Sequence, residues 1–289
     1  MKIDAHHHLW DLSAVTYPWL MEKGIVRFFG DPASIQRDYL LPEFRADAEA
    51  MGFGASVHIQ VGAADHWAEA QWVQTIADQF SDWPLVQVAF CDLTADDLSK
   101  QLDRLQTLPS VRGVRQIIGR APGEDASTGT NALLKDPAFL AGLKQLGTRG
   151  LSFDLQLLPE LMDQAADVLA QSPETRIALC HAGSPHDRSP QGLQRWADEL
   201  TALSSLPQVY CKLSGLGMFD HNWSVDSVAP VVSTCLSQFG ADRCMFGSNF
   251  PVDSLTSTYN EVVSRHQKLI PSSNQEDVFH GTSKRFYRF

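Results

Sequence analysis

The 289-residue sequence predicts an α/β protein built as one (β/α)8 barrel domain. Eight short runs rich in β-branched and apolar residues recur along it, helical stretches separate most of them, and the length suits a barrel, which typically takes about 250 residues. Several of the runs are nearly continuously apolar, as parallel strands buried on both faces should be.

The first strand is "KIDAH" (2–6), with the alternation continuing to residue 8. Residues 10–41 then break the pattern. This long segment carries Trp10, Tyr17, Trp19, Phe28, Phe29 and Tyr39 together with Pro18 and Pro32. A loop of that length in a compact domain usually has a function. It reads either as an aromatic lid over the barrel mouth, with Trp10 and Trp19 as candidate substrate contacts, or as a loop packing its own aromatics on the rim. A helix over 42–52 leads to "ASVHIQV" (55–61), and a helix over 66–80 to "LVQVAFC" (85–91). A helix over 94–108 precedes "VRGVRQII" (111–118), and one over 136–150 precedes "LSFDLQL" (151–157). Helices over 159–171 and 189–203 flank "RIALC" (176–180), and "QVYCKLS" (208–214) and "RCMFGS" (243–248) complete the eight. Several helices open on Pro, Thr or Asp and close near Gly, the usual asymmetry of helix ends.

Composition narrows the function classes. Apolar residues make up 44% and charged residues 20%, and the net charge is −11. No Lys/Arg cluster offers the counterion exchange that nucleic acid requires. No stretch approaches the roughly 18 apolar residues of a membrane span, and the start, with Lys2 and Asp4, has no apolar signal-peptide segment. The five cysteines (Cys91, Cys180, Cys211, Cys235 and Cys244) are widely spaced and form no C-x-x-C, so a reducing, cytoplasmic location is expected. The expected partner is a small molecule.

Chemistry-bearing residues gather where the strands end, which in a barrel is where sites are built. Period-2 alternation places Asp4, His6 and His8 on one face of the first strand, with His8 nearest the mouth. Two converging imidazoles suit a divalent metal or a polarised carbonyl, and the deeper Asp4 could hold one ring by its second nitrogen. His181 ends the sixth strand, and Ser248 and Asn249 end the eighth. Arg115 and Lys212 offer charge for a substrate carboxylate or ring oxygen. His58 and Gln60 share a face at the end of the second strand, Asp154 and Gln156 lie on the fifth, and Asp253 follows Pro251. His66, His186, His221, His266 and His280 read as surface or capping residues.

Taken together, the D-x-H-x-H start, "HAGSP" (181–185), "VYCKLSGL" (209–216), "DRCMFGSNFPV" (242–252) and the closing "HGTSKRFYRF" resemble the amidohydrolase superfamily. The closest likeness is to its amidohydrolase-2 branch of TIM-barrel hydrolases, which includes sugar lactonases and the pyrone-dicarboxylate lactonase. The resemblance implies a hydrolase that opens the ring ester of a small sugar lactone or lactone acid. His6, His8 and His181 would polarise the carbonyl, either with one divalent metal (zinc or manganese) bound to them or without metal. Asn249 stands where most relatives carry an aspartate that activates water or binds metal. An amide has no basic oxygen, so Asp154 or Asp253 would have to activate water, with Asn249 left to orient it. Arg115 and Gln116 on the fourth strand, and Asp154 and Gln156 on the fifth, depart from the bridging residue and histidine of two-metal members, so at most one metal is expected. A metal-dependent decarboxylase of the same superfamily and a barrel kept only for binding are the alternatives.

Overall fold

The computed structural model describes residues 1–122 and 132–289. Its eight strands are β1 (Lys2–His7), β2 (Phe53–Ile59), β3 (Leu85–Ala89), β4 (Val111–Val114), β5 (Ser152–Leu155), β6 (Ile177–Leu179), β7 (Val209–Leu213) and β8 (Cys244–Phe246). They run in sequence order, every neighbouring pair parallel. The seam between β8 and β1 is bridged by main-chain bonds at the C-terminal end, from Asn249 N–H to His6 O and from His8 N–H to Phe250 O, both 2.7 Å. The result is a nearly closed TIM-type barrel.

Helices cover the outside. After α1 (Pro18–Met21) in the long loop come α2 (Leu41–Ala50), α3 (His66–Gln79), α4 (Leu98–Leu105), α5 (Ala132–Lys135), α6 (Pro137–Thr148), α7 (Met162–Leu169) and α8 (Pro190–Ser204). The N-terminal ends are made by side chains that take up orphan amides: Asp65 for α3, Asp136 for α6 and Ser189 for α8. α9 (Val225–Phe239) and α10 (Tyr259–Leu269) are not foreseen in the sequence, whereas the short α11 (Thr282–Tyr287) lies in the closing segment whose family resemblance implies a helix. Pro230 lies inside α9, a residue that normally argues against a helix interior. Capping boxes, Ser224 with Ser227 and Thr258 with Glu261, start α9 and α10.

The main core lies between strands and helices, and a second, smaller cluster fills the barrel itself. That inner cluster joins Ala5, Val57, Ile59, Val86, Val88, Ala178 and Met245 with Phe286 and Tyr287 of α11. All five cysteines are buried thiols.

Two placements differ from simple alternation. Ala5 is an inner residue, so Asp4 faces outward, where its carboxylate accepts from Tyr259 O–H on α10, Ser248 N–H and His6 N–H. Asp4 therefore does not hold an imidazole. The pairing of β1 with β2 is irregular between Asp4 and His7, and a one-residue slip exchanges the faces of everything beyond it. Past that irregularity His6 and His8 turn to the barrel mouth, while His7 stacks on Phe44 of α2 at 3.9 Å. In β2, Val57 and Ile59 are the inner residues, so His58 points outward: its Nδ1 accepts from Leu9 N–H and its Nε2 lies 3.8 Å from buried Glu69. His266 is buried too, with Nδ1 donating to Val262 O, rather than at the surface.

Candidate active site

A cavity of about 280 Å³ opens at the C-terminal end of the barrel. Strand ends supply His8, Gln60, Arg115, Gln156, His181 and Asn249 to its wall, and the long loop supplies Trp19, Phe28 and Phe29. Trp19 Nε1–H donates to Val61 O, which fixes its indole. Trp10 is not part of the wall. It is fully buried beneath the loop, its Nε1–H donating to Arg37 O and its main chain paired with Tyr39. The loop thus does both things its composition suggests: an inner set of aromatics anchors it, and an outer set faces the cavity.

His6, His8 and His181 come together. The His6 ring centroid is 5.1 Å from that of His8 and 4.5 Å from that of His181. Burial first, and then the positive charge of Arg115 and the neighbouring imidazoles, holds His8 down to about 3, so it is neutral at ordinary pH. Burial and the same neighbours push His6 and His181 well below their usual range as well. Neutral imidazoles leave lone pairs free. His8 Nδ1–H donates to Ile59 O at 2.8 Å, so its bare nitrogen is Nε2. His181 Nδ1 bonds Ser214 Oγ at 3.0 Å, and both ring nitrogens of His6 are buried without a hydrogen-bond partner.

The backbone under these residues is unusual. His181 (φ 56°), Ala182 (52°), Gly183 (71°) and Ser184 (54°) form a left-handed run, and Asn249 (57°) is left-handed at the end of β8. For a non-glycine residue this costs about 1–2 kcal/mol, and such strain concentrates at functional sites. Glycine makes room for His181. A Cβ on Gly215, whose φ is +61°, would lie 2.5 Å from His181 Nδ1.

Asn249 faces His8. Its Nδ2–H donates to Asp253 Oδ1 at 2.7 Å, which leaves Oδ1 directed to His8 Nε2 at 3.4 Å. Two acceptors therefore look at each other across a gap that calls for a shared donor. Asp253 is buried behind Asn249 and is absent from the cavity wall.

Arg115 supplies the cation. It is buried, donates Nη2–H to Gln60 O and Nη1–H to Gln156 Oε1, and keeps a buried Nε without a partner. Lys212 and Asp154 are elsewhere. Both are fully buried below the cavity and paired with each other at 2.5 Å, and Tyr287 O–H donates to the same carboxylate at 3.0 Å. Neither lines the cavity, because each charge is already met by the other. The expected roles of Lys212 as a substrate clamp and Asp154 as a water activator do not fit that placement. Arg27 and Arg120 do line the cavity, unforeseen in the sequence; the only signal was an arginine set among the aromatics of the long loop and another five residues beyond Arg115.

Among the described residues no three His, Cys, Asp or Glu side chains form a ready-made group for a metal ion. His8 and His181 bond the protein through Nδ1, as a metal-ligating imidazole does, and His6 has both nitrogens unpartnered, while no carboxylate is among the cavity's described wall residues and Asn249 offers only a neutral oxygen. His6, His8 and His181 are the residues that would hold a single divalent ion, the metal-bound one of the two arrangements expected from the sequence.

Comparison with known proteins agrees with this architecture. The chain is 34% identical to an uncharacterized protein of Sinorhizobium fredii, covering 99% of this chain and 98% of that one. It is 27% identical to an L-fucono-1,5-lactonase of Burkholderia multivorans, covering 99% and 96%. Among solved structures it resembles an amidohydrolase from Burkholderia multivorans with bound zinc, at TM-score 0.85 and 25% identity, covering 100% of this chain and 99% of that one. A putative 2-pyrone-4,6-dicarboxylic acid hydrolase from Pseudomonas putida shares the fold at TM-score 0.77 and 18% identity, covering 99% and 97%. These relatives support a hydrolase. The amidohydrolase family model matches residues 3–289, and with the barrel, the strand-end histidines and these relatives in view, the chain belongs to the amidohydrolase family.

Proposed function

We propose that the protein opens the ring ester of a small lactone, a sugar lactone or a lactone acid. The observation that carries this reading is the facing pair of acceptors, His8 Nε2 and Asn249 Oδ1 at 3.4 Å, in the same cavity as the Arg115 guanidinium. A water on the cavity side of the two acceptors, within hydrogen-bond reach of each, donates to both. Asn249 orients it and His8 takes its proton as its oxygen bonds to the lactone carbonyl carbon. Negative charge then develops on the carbonyl oxygen, and Arg115 stabilises it; one such donor is worth about 2.7–4 kcal/mol of barrier. As the ring C–O bond breaks, the leaving oxygen takes the proton back from His8. The products are a carboxylic acid and a free hydroxyl, with one water consumed.

His8 is a weak base in the empty cavity because Arg115 opposes its protonation. The negative charge that grows beside it during the reaction reverses that field. Trp19, Phe28 and Phe29 cover the cavity and limit access of other waters. His181 adds a neutral, polarising ring to the wall, and His6 packs behind it.

The test is a pH-indicator assay of the purified protein on L-fucono-1,5-lactone, related sugar lactones and 2-pyrone-4,6-dicarboxylate. Acid release well above the spontaneous rate on at least one is expected. No release from any of them, with or without added zinc or manganese, would overturn the reading. Ligand binding without turnover would then favour a binding barrel, and loss of carbon dioxide from an aromatic acid a decarboxylase.

A further inference from the structure

We propose that Asp253 is a positioning residue that fixes the Asn249 amide so that its oxygen, not its nitrogen, faces His8. The proposal rests on the lactonase reading for its kinetic consequence, and on geometry alone for the orientation itself.

Three observations point to it. Asp253 lies four residues after Asn249, its N–H donates to Asn249 O at 3.1 Å, and the resulting turn sets the carboxylate behind the amide. The Asp253 carboxylate is 3% exposed, and no ion pair with a basic side chain is found for it among the described residues. Its side-chain hydrogen bond is the one from Asn249 Nδ2 at 2.7 Å. A buried carboxyl without a countercharge is costly, and burial pushes this one up to about 7. A leucine would fill the same space without that cost.

The consequence follows from the two-faced chemistry of an amide. An asparagine side chain has an acceptor at one end and a donor at the other, nearly equal in shape. With Nδ2 tied to Asp253, Oδ1 must face His8. Freed from Asp253, the amide can turn over and donate Nδ2–H straight to His8 Nε2, because His8 Nδ1–H is held by Ile59 O and Nε2 is the bare nitrogen. That bond would occupy the lone pair the water needs. Asp253 therefore never touches the substrate, yet it decides whether His8 is available.

The experiment compares Asp253→Leu, which keeps the volume and loses the acceptor, with Asp253→Asn, which keeps an acceptor oxygen. Two readouts are taken on folded protein, checked by thermal melt. The first is kcat and KM on a lactone that the wild type hydrolyses. The second is the 15N imidazole spectrum of histidine-labelled protein without ligand, with His8 assigned by a His8→Gln difference. Asp253→Leu is expected to lower kcat about 10²-fold with little change in KM, and to move the His8 Nε2 resonance as its accepted hydrogen bond passes from water to the Asn249 amide. Asp253→Asn is expected to recover at least tenfold of that loss and to leave His8 close to wild type. The proposal fails if folded Asp253→Leu leaves both kcat and the His8 resonance unchanged, or if Asp253→Asn matches Asp253→Leu in both. Should the wild type hydrolyse no lactone, the lactonase reading fails, and the 15N spectra alone decide the amide's orientation.

Discussion

Lys212 and Asp154 neutralise each other in the middle of the barrel, Nζ to Oδ2 at 2.5 Å, with neither side chain reached by solvent. Tyr287 of α11 closes the arrangement by donating to the same carboxylate. The pair is thus a strut between β5 and β7 beneath the cavity. Replacing one member leaves a buried charge without a partner, which costs about 3–5 kcal/mol. Lys212→Met should lose about that much stability in urea unfolding. The double change Lys212→Met with Asp154→Leu should lose clearly less, since an apolar pair of similar volume is often neutral.

Gly215 is the simplest handle on His181. An alanine there brings a methyl against the imidazole and strains a left-handed residue. Gly215→Ala should break the His181–Ser214 bond and lower kcat/KM by at least tenfold while the protein still folds. A lactone assay beside a circular-dichroism melt reads both effects.

In the proposed reaction Arg115 carries the charge that meets the developing oxyanion. Arg115→Met should lower kcat/KM by about 10²–10³. Arg115→Lys should rescue little, because one ammonium cannot hold Gln60 O and Gln156 Oε1 and still face the cavity. Steady-state kinetics of the two variants test this.

Stability should fall on acidification from pH 6.5 to pH 4. His6, His7, His8, His181 and His266 are all held below their usual range by burial. Each contributes stability that is present above the unfolded value near 6.5 and lost as pH falls toward its folded value. Asp4 and Asp253 act in the opposite sense. Burial raises them to about 6 and about 7, so their contribution is full below the unfolded value of 3.8 and lost as pH rises through the folded values. Five imidazoles outweigh two carboxyls, so the net slope is positive with pH across this window. Melting temperature measured at half-unit steps checks the sign.

The barrel is legible in the sequence because parallel strands buried on both faces leave short apolar runs that need no partner to be recognised. His8, His181, Arg115, Gln60, Gln156 and Asn249 are legible because they sit at or near strand ends, where the fold itself points them at the mouth, and His6 packs against two of them. Parity is harder. The irregular pairing of β1 near His6 turns Asp4 away from the His6 and His8 face. Past inner Val57 and Ile59, which turn His58 outward, Gln60 breaks step to reach the cavity; strict alternation foresees neither break. The pairing of Lys212 with Asp154 joins residues 58 apart, and nothing local to either segment signals it. Trp10 and Trp19 look alike in sequence, and only packing against Tyr39 or against Val61 separates the buried one from the cavity one.

The central claim is that His8, held neutral and tautomerically fixed, takes the proton from the attacking water. The most direct test is the pH dependence of kcat/KM for wild type and His8→Gln on one hydrolysed lactone, between pH 5 and pH 8 on protein shown to be folded. With His8 held at about 3 in the free protein, His8→Gln should lie about 10²–10⁴ lower across the range, and any wild-type limb near 7, where burial sets Asp253, should vanish in Asp253→Asn. A His8→Gln variant within tenfold of wild type, or a limb near 6.5 that persists in Asp253→Asn, would contradict the account.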